Sequence, residues 1–419
     1  MADTSKAGGG KMKALPGAWQ ARDPNDEAPL AGVRVLELAA IIAGAFTGML
    51  LGDFGADVVK VEHPSGDPYR QLGNKRDGTA LDWKRLARNK RLVVLDLHDA
   101  DAQQVVRDLA AEADVVTENF RPGTLEKWGL GYDQLSARNP GLVLLRVTGW
   151  GQTGPHKDRP GFGSVAEAMA GFASLNGEKD GPPLLPPFGL ADHLTGVYGA
   201  YAVMAALRER DRSGKGQVID LALYESIFSV LGGMVIDYDQ IGFVQKRNGN
   251  RVYYSSPRNV YRTSDGRYVA LSGSTPATAR RVMSAIGRPE LADDARFNSN
   301  TARLQNADAL DSLIADWIEA HSFDEVMRVF GAEQVALAPV QDISQIIDDE
   351  QFVARESIVR VEDEDWGPVR MQGVVPRFSR TPGKIRWPGA RLGRNQSEIV
   401  GEAEAADASE GAPGAPARG

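Results

Sequence analysis

A single carboxylate, Asp192, stands in the segment Phe188–Gly196, directly before a stretch, Val197–Arg210, whose apolar residues recur at helical spacing. An aspartate just before a helix is commonly its N-cap, because its side-chain oxygens accept hydrogen bonds from N–H groups of the first turn. A carboxylate can also act as a covalent nucleophile. The local pattern leaves both roles open, and the surrounding elements must decide between them.

Few other side chains offer chemistry of their own. His156 and His193 are candidate bases, but the sequence identifies no partner for either. The chain has no cysteine, which excludes disulfides, thiolate metal sites and a cysteine nucleophile. No group of His, Asp and Glu residues stands at metal-ligand spacing, so we predict no metal site.

The composition is that of an ordinary globular protein, and a length of 419 residues predicts two domains. The net charge of −8 argues against binding to nucleic acid or to an anionic membrane. No run of apolar residues is long enough to span a membrane, and the first 29 residues do not form a secretory signal. Together with the lack of cysteine, this pattern predicts a cytoplasmic protein.

Short β-type runs alternate with amphipathic stretches from Val33 onward, which predicts a parallel α/β sheet. The predicted strands are Val33–Leu38, Asp57–Glu62, Leu92–Leu97, Asp114–Glu118 and Leu142–Thr148, with helices at Ile41–Phe54 and Asp101–Ala113. Farther along, Val260–Leu271 predicts a hairpin, because its centre contains an Asp-Gly turn at 265–266.

This pattern divides the chain into a large α/β domain and a smaller α+β domain. The predicted boundaries are a flexible tail at 1–29, the large domain at 30–222, the small domain at 223–336, a return to the large domain at 337–401, and a disordered tail at 402–419.

The glycines of the first predicted helix argue against a dinucleotide site. No Gly-x-Gly-x-x-Gly follows the first strand, as NAD-binding folds require. Gly44, Gly48 and Gly52 recur every four residues and share one helix face, which suits close packing instead. An NAD-linked oxidoreductase is therefore disfavoured.

Seven segments together resemble the class III coenzyme A (CoA) transferases, the family that includes formyl-CoA transferase and the carnitine dehydratase-like proteins. The segments are Gly32–Leu38, Leu51–Glu62, Ser65–Asp67, Arg88–Arg91, Glu118–Gly123, Gly149–Pro155 and Gly189–Gly196. Each is short, but their order and spacing are specific to the family. The resemblance extends from about residue 31 to 231, and more loosely to about residue 393.

The resemblance implies a Rossmann-like large domain, a smaller α+β domain, and a ring-shaped chain interlocked with a second copy in a homodimer. It also implies that Asp192 is the catalytic carboxylate. In such an enzyme the aspartate attacks a donor thioester and forms a mixed anhydride, which stays as activated as the thioester. CoA then passes to a free carboxylic acid. CoA and acyl-CoA are substrates, and we expect no permanently bound cofactor.

CoA carries several phosphates, so an acidic protein must concentrate positive charge where CoA binds. Arg88, Lys90 and Arg91 form a basic cluster that we predict to hold phosphate. Lys84 and Arg85 precede it, and they fit a solvated charged surface equally well.

Further CoA contacts are implied by the resemblance. Asn119 and Phe120 are expected at the nucleotide end of CoA, and Arg121 and Lys127 follow the same strand end, where α/β folds bind ligands. His63 stands where relatives often carry arginine, and it is included among the predicted CoA contacts.

The alternatives differ in what they require of the pocket. An α-methylacyl-CoA racemase shares the fold, but racemases place a histidine where this chain has Phe162, and a phenyl ring moves no proton. Many transferases carry an acidic residue in place of Gly163, a departure in this chain. A non-catalytic acyl-CoA-binding protein would use Asp192 only as a helix cap. We favour a transferase with Phe162 in its pocket, succinyl-CoA as donor and a dicarboxylic acid as acceptor.

Overall fold

The computed structural model describes residues 12–21, 23 and 26–402. In chain order the strands are β1 Met12–Ala14, β2 Arg34–Glu37, β3 Asp57–Glu62, β4 Lys75–Arg76, β5 Thr79–Ala80, β6 Lys90–Val94, β7 Val115–Glu118, β8 Val143–Thr148, β9 Val218–Ala222, β10 Arg258–Arg262, β11 Tyr268–Ser272, β12 Leu337–Pro339, β13 Ile358–Asp363, β14 Gly367–Gln372 and β15 Val400–Glu402.

The helices are α1 Ala43–Asp53, α2 Trp83–Leu86, α3 Ala100–Glu112, α4 Thr124–Lys127, α5 Tyr132–Ser136, α6 Gly163–Met169, α7 Phe172–Leu175, α8 Leu190–Ser213, α9 Leu223–Phe228, α10 Met234–Ile241, α11 Pro276–Ala285, α12 Asn300–Gln305, α13 Ala307–Glu319, α14 Phe323–Ala332, α15 Ile343–Ile346, α16 Glu350–Ala354 and α17 Gln396–Ile399. Two 3₁₀ helices lie at Pro68–Gln71 and Pro289–Ala292.

The described residues form a parallel sheet in the order β6-β3-β2-β7-β8-β9. The chain builds outward from β2 through β3 and β6, then crosses to the other side and continues through β7, β8 and β9. This is the strand order of the Rossmann fold, so the predicted α/β class is confirmed. The strand order reverses between β2 and β7, and α/β folds bind ligands in the crevice that forms at the carboxyl ends of the strands at such a point.

Strands β3, β7 and β8 are almost entirely buried, as the nearly continuous apolar run of β8 predicts, whereas the edge strand β9 is partly exposed. Val35 and Leu36 of β2 and Leu144 and Leu145 of β8 are fully buried. Each such side chain contributes roughly 1.5–3 kcal/mol through removal from water. The prediction for the glycines of α1 is also confirmed, because a Cβ on Gly48 would lie 1.9 Å from the Glu37 carboxylate.

Helix α8 packs closely against α1. A Cβ on Gly196 of α8 would lie 2.8 Å from Phe46, and the Thr47 hydroxyl donates to the Gly196 carbonyl at 3.0 Å. Since only glycine allows this approach, it fixes the start of α8 beside the loop that links β2 to α1.

Part of the predicted N-terminal tail is ordered, which corrects that boundary. Residues 12–14 form β1, paired antiparallel with β15, and the indole of Trp19 is buried and donates to the Leu109 carbonyl at 3.3 Å. Residues 1–11, 22, 24, 25 and 403–419 of the predicted tails lie outside the described residues.

The chain divides into two compact units. The first comprises residues up to 166, 188–229 and 357 onward, and the second comprises 167–187 and 230–356. The second unit contains the predicted hairpin β10–β11, extended by β12 into a three-stranded antiparallel sheet. Because β12 pairs with β11, the return to the first unit comes at residue 357 and not at 337. There the chain forms the hairpin β13–β14, which the sequence analysis missed.

Candidate active site

A cavity of about 320 Å³ lies at the crevice of the parallel sheet, within the first unit. Its walls come from the segments that follow the carboxyl ends of β2, β7, β8 and β9, together with the first turn of α8. The lining residues are Ala40, Ile41, Ile42, Ala43, Asn119, Phe120, Arg121, Pro122, Val147, Thr148, Gly149, Lys157, Arg159, Pro160, Gly161, Phe162, Asp192 and Leu223.

Asp192 lies in the first turn of α8, half-buried on the cavity wall. The helix begins at Leu190, seven residues earlier than the spacing predicted, and Gly189 is its N-cap. The interpretation of Asp192 as an N-cap is therefore wrong. The first turn still favours a negative charge there, because its N–H groups carry the positive end of the helix dipole.

Gly163 makes room for this carboxylate. A Cβ at Gly163 would lie 2.1 Å from Asp192 Oδ2, a distance that no two such atoms adopt. The departure from the family pattern at this position thus has a steric reason. In this chain the carboxylate of Asp192 occupies the space into which any side chain at 163 would project.

Asn119 lines the cavity, and its amide also holds the β2–α1 loop. Its Oδ1 accepts from the Ala40 N–H at 2.9 Å, and its Nδ2 donates to the Ala40 carbonyl at 2.7 Å. Both ends of the amide are thus occupied by one residue of the β2–α1 loop. The neighbouring Phe120 also lines the cavity and packs edge-on against Trp128, with ring centres 5.1 Å apart.

Replacing Asn119 by alanine should lower the free energy of unfolding by about 1–3 kcal/mol, because Ala40 loses both partners in a partly buried place. Urea denaturation measures the change. Asn74→Ala serves as the control, since Asn74 is exposed and should change stability by less than about 0.5 kcal/mol. An Asn119→Ala protein as stable as the wild type would contradict this role.

The next residue of that loop, Ile41, has a left-handed backbone with φ of +65°. This conformation is strained for a β-branched residue and needs support from its surroundings. The support comes from the Asp67 carboxylate, which accepts from the Ile41 N–H at 3.1 Å and pairs with Lys60 Nζ at 2.8 Å. Burial alone would raise the pKa of Asp67, but the Lys60 ammonium, together with the N–H groups of Tyr69 and Ile41, outweighs burial and lowers that pKa. A buried ion pair thus holds the cavity wall.

The predicted phosphate cluster is corrected by the structure. Arg88, Lys90 and Arg91 are buried, and each pairs with a carboxylate distant in sequence. The contacts are Arg88 Nε to Asp53 at 2.9 Å, Lys90 Nζ to Glu37 at 2.9 Å and Arg91 Nη2 to Asp57 at 2.6 Å. Burial lowers the pKa of Lys90 to about 8. These cations tie α1, β2, β3 and β6 together, and none lines the cavity.

The remaining predicted CoA contacts divide into two groups. Arg121 and Phe162 line the cavity together with Asp192, and the Phe162 ring is 61% exposed. His63 and Lys127 do not line it. The His63 ring contacts the Ser65 hydroxyl at 2.7 Å, and Lys127 is exposed in α4.

Two cavity cations, Lys157 and Arg159, were missed by the sequence analysis. Both are exposed, and among the described residues neither forms an ion pair. Their loop after β8 is anchored, since Trp150 Nε1 donates to the Pro160 carbonyl at 3.1 Å and the Gln152 N–H donates to Asp220 at 3.0 Å. The position of this loop after a strand end could have indicated them.

Within the part of the chain that the structure describes, no group of three or more His, Cys, Asp or Glu side chains is arranged to hold a metal ion. No helix in that part is both long and apolar enough to cross a membrane.

The chain is similar to known proteins over most of its length. The model of CoA-transferase family III matches residues 30–396. The chain is 42% identical to succinyl-CoA–D-citramalate CoA-transferase of Chloroflexus aurantiacus, over 88% of this chain and 93% of the relative. It is 34% identical to succinate–glutarate CoA-transferase of Agrobacterium fabrum, over 91% and 97% of the two chains.

Among solved structures, a CAIB/BAIF family protein from Brucella suis superposes with a TM-score of 0.78 at 34% identity, covering 88% of this chain and 98% of the other. The match therefore includes both units of the chain. With the family model spanning most of the sequence, the chain belongs to CoA-transferase family III.

Proposed function

We propose that this protein transfers CoA from succinyl-CoA to a dicarboxylic acid, with Asp192 as the nucleophile. The observation that carries the proposal is the cavity itself: of its described lining residues, Asp192 is the one that carries a carboxylate. The donor and the acceptor class follow from the relatives, which are named for succinyl-CoA with citramalate or malate and for succinate with glutarate.

The chemistry proceeds through balanced exchanges at one carboxyl group, that of Asp192. A carboxylate oxygen of Asp192 attacks the thioester carbonyl, a C–O bond forms, and the C–S bond breaks to release the CoA thiolate. The thiolate then attacks the Asp192 carbonyl of the mixed anhydride and releases succinate, which leaves an aspartyl-CoA thioester. The acceptor carboxylate then attacks the aspartyl-CoA thioester, which forms a second mixed anhydride and releases the thiolate. The thiolate attacks the acceptor carbonyl of this anhydride, which yields the CoA thioester of the acceptor and restores the Asp192 carboxylate. Every intermediate stays activated, so no step faces a deep energy minimum.

This sequence of steps requires neither an obligatory proton transfer nor a metal ion. The negative charge passes from carboxylate to thiolate and back, and each tetrahedral intermediate needs only N–H donors near its oxygen. CoA and its thioesters are accordingly substrates of the proposed reaction, and no permanently bound cofactor is part of it.

We assign the CoA phosphates to the exposed cations of the cavity, Arg121, Lys157 and Arg159. Lys157→Gln and Arg159→Gln should each raise the KM for every acyl-CoA donor about tenfold, because a charge-assisted hydrogen bond contributes roughly 1.5–3 kcal/mol. The effect should shrink at high salt. Steady-state kinetics with succinyl-CoA and with acetyl-CoA measure it.

The control for this prediction is Lys215→Gln, which removes an exposed cation that does not line the cavity. Its KM should stay within about twofold of the wild type. An unchanged KM in both cavity variants would contradict the assignment of phosphate binding to this loop.

The substrates are tested by incubating the protein with succinyl-CoA and a pool of citramalate, malate, glutarate and monocarboxylic acids of matching length. Mass spectrometry of the products should reveal new CoA thioesters of dicarboxylic acids. Transfer only to monocarboxylic acids, or no transfer from succinyl-CoA, would contradict the proposed substrate class.

We also propose that the protein is a homodimer, with the interlocked rings that the resemblance implies. In support, α8 exposes Val197, Tyr201 and Met204 on one side, and α10 of the second unit exposes Ile236 and Ile241. Exposed apolar surface of this kind marks interaction sites. Light scattering should give twice the chain mass of 45.1 kDa. A stable monomer at micromolar concentration would contradict the proposal.

A cytoplasmic location is part of the same proposal. The lack of cysteine fits a reducing compartment, and CoA thioesters are intracellular substrates. Cell fractionation with an antibody against the chain tests it, and recovery in the membrane or secreted fraction would contradict it.

A further inference from the structure

His193 follows Asp192 in the first turn of α8 and does not line the cavity. Its ring lies between two groups of opposite hydrogen-bonding character. Nδ1 is 2.7 Å from the Gly189 carbonyl oxygen, and Nε2 is 3.4 Å from Arg85 Nη2. A carbonyl only accepts and a guanidinium only donates. Nδ1 therefore carries the hydrogen and Nε2 the lone pair, so the contacts select a neutral imidazole in one tautomer.

The partner on the Nε2 side is itself fixed. Arg85 donates from Nε and Nη2 to the two oxygens of Asp82, at 2.6 and 2.7 Å. The same carboxylate accepts from the Tyr69 hydroxyl at 2.5 Å. Burial alone would raise the pKa of Asp82, but its contacts with Arg85 and Tyr69 outweigh burial and lower it. The hydrogen-bonded network Tyr69–Asp82–Arg85–His193 thus contains an ion pair in which Arg85 is mostly buried and Asp82 is partly exposed.

The partner on the Nδ1 side, Gly189, lies next to the Asp192 carboxylate. Gly189 is the N-cap of α8, and a Cβ on it would lie 2.9 Å from Asp192 Oδ2. The Gly189 carbonyl accepts both the His193 N–H of the helix, at 3.0 Å, and the imidazole Nδ1–H. A displaced Gly189 therefore changes the space in which the Asp192 carboxylate lies.

We propose that His193 is a positioning residue, whose neutral imidazole, held by Arg85, fixes the Gly189 carbonyl and with it the orientation of Asp192. The inference rests on the proposed role of Asp192 as the nucleophile. His193 touches neither the substrate nor the reacting atoms.

Protonation destroys this arrangement. A hydrogen on Nε2 would face the Arg85 guanidinium, and the charge of Asp82 is already shared between Arg85 and Tyr69. Among the described residues, the charged groups that act on the ring are Arg85 and Asp82, while Phe46 and Phe188 provide apolar neighbours. Burial, aided by Arg85, keeps the pKa of His193 below its ordinary value, so the ring is neutral at neutral pH.

The sign of the pH effect follows from this direction. Because the unfolded chain takes up the proton more readily, the contribution of His193 to stability is complete above the ordinary pKa of histidine, 6.5. It is lost as the pH falls below that value toward the lower pKa of the folded protein. The rate of transfer should decline on the acid side over the same range.

Two substitutions separate positioning from packing. His193→Ala removes the bond to Gly189 and should lower kcat about ten- to hundredfold, with the KM for acyl-CoA within about twofold. His193→Asn keeps an N–H that can reach the Gly189 carbonyl and has no titratable group. It should recover most of kcat. The acid limb of its pH profile, which is the decline of kcat at low pH, should lose the part that protonation of His193 causes.

His321→Asn is the matched control, because His321 Nδ1 makes the same type of contact, 2.5 Å from the Trp317 carbonyl four residues earlier, in the second unit. Its kcat and pH profile should match the wild type. The proposal is overturned if His193→Ala leaves kcat unchanged or alters only KM, or if the acid limb of His193→Asn is the same as that of the wild type.

A measurement without turnover keeps this inference separate from the proposed function. The chain has five histidines, so nitrogen NMR of the labelled imidazoles, assigned with His193→Asn, resolves each ring. At pH 7 His193 should carry its hydrogen on Nδ1 and have a bare Nε2, and the opposite tautomer or a charged ring would refute the inference. A wild-type protein with this tautomer but no CoA transfer would instead refute the proposed function.

Discussion

Replacing Asp192 by asparagine should lower the rate of CoA transfer at least about a thousandfold, because an amide cannot form the acyl anhydride that carries the reaction. The fold should persist, since asparagine has nearly the same shape and the charge in the first turn of α8 contributes only about 0.3–1 kcal/mol. Initial rates with succinyl-CoA and a dicarboxylic acid measure the loss, and thermal unfolding measures the stability.

The control for this experiment is Glu225→Gln, which removes an exposed first-turn carboxylate from α9 in the same unit. It should cost a similar small amount of stability and leave the transfer rate unchanged. Comparison of the two variants separates the loss of a helix-dipole interaction from the loss of a nucleophile.

The intermediate itself can be trapped. Wild-type protein mixed with succinyl-CoA and then with hydroxylamine should yield a hydroxamate on the peptide that contains Asp192, whereas the asparagine variant should yield none. If the asparagine variant exchanges CoA at the wild-type rate, the covalent mechanism is wrong, and a non-catalytic role for Asp192 has to be considered again.

Replacing Gly163 by alanine should lower kcat about a hundredfold or more, because the new Cβ would lie 2.1 Å from Asp192 Oδ2 and must displace the carboxylate. The backbone of Gly163 tolerates alanine, since its φ is not positive and it is the first residue of α6. The loss should therefore appear in activity while the protein still folds. Crystallography of the variant should show the Asp192 side chain in a new rotamer.

Gly331→Ala provides the matched comparison. Gly331 lies in α14 of the second unit, and a Cβ there meets nothing within 4 Å. This substitution should raise stability by up to about 1 kcal/mol through helix propensity and leave kcat unchanged. A Gly163→Ala enzyme as fast as the wild type would mean that the carboxylate position is not restricted as the steric argument requires.

The two predictions concern Asp192 and Gly163, and the sequence reveals the importance of these two residues to different degrees. The family motifs already single out Asp192, but Gly163 reads only as a departure from the family pattern. Its meaning emerges from the distance to the Asp192 carboxylate, 29 positions farther along the chain. The same holds for His193, whose partner Arg85 is 108 positions away.

The sequence by itself determined the α/β class and most strands of the parallel sheet. The run Leu142–Val147 is apolar except for Arg146, and burial on both faces leaves such a segment little alternative to a central strand. The Asp-Gly turn likewise specified the β10–β11 hairpin, because it is set by a few adjacent residues. In these segments, the preferences of residues adjacent in the sequence were sufficient to determine the structure.

Only the tertiary structure decided which charged side chains line the cavity. Arg88, Lys90 and Arg91 form a basic cluster in the sequence, yet their charges are paired with buried carboxylates on neighbouring elements. Lys157 and Arg159, unremarkable in the sequence, line the cavity because the loop after β8 is anchored beside it.

The start of α8 at Leu190 was also not evident from the sequence. Glycine and proline before Asp192 indicate a loop locally, whereas packing against α1 stabilises a longer helix. Charge pairing and helix packing join residues far apart in the chain, and no local pattern records such partners.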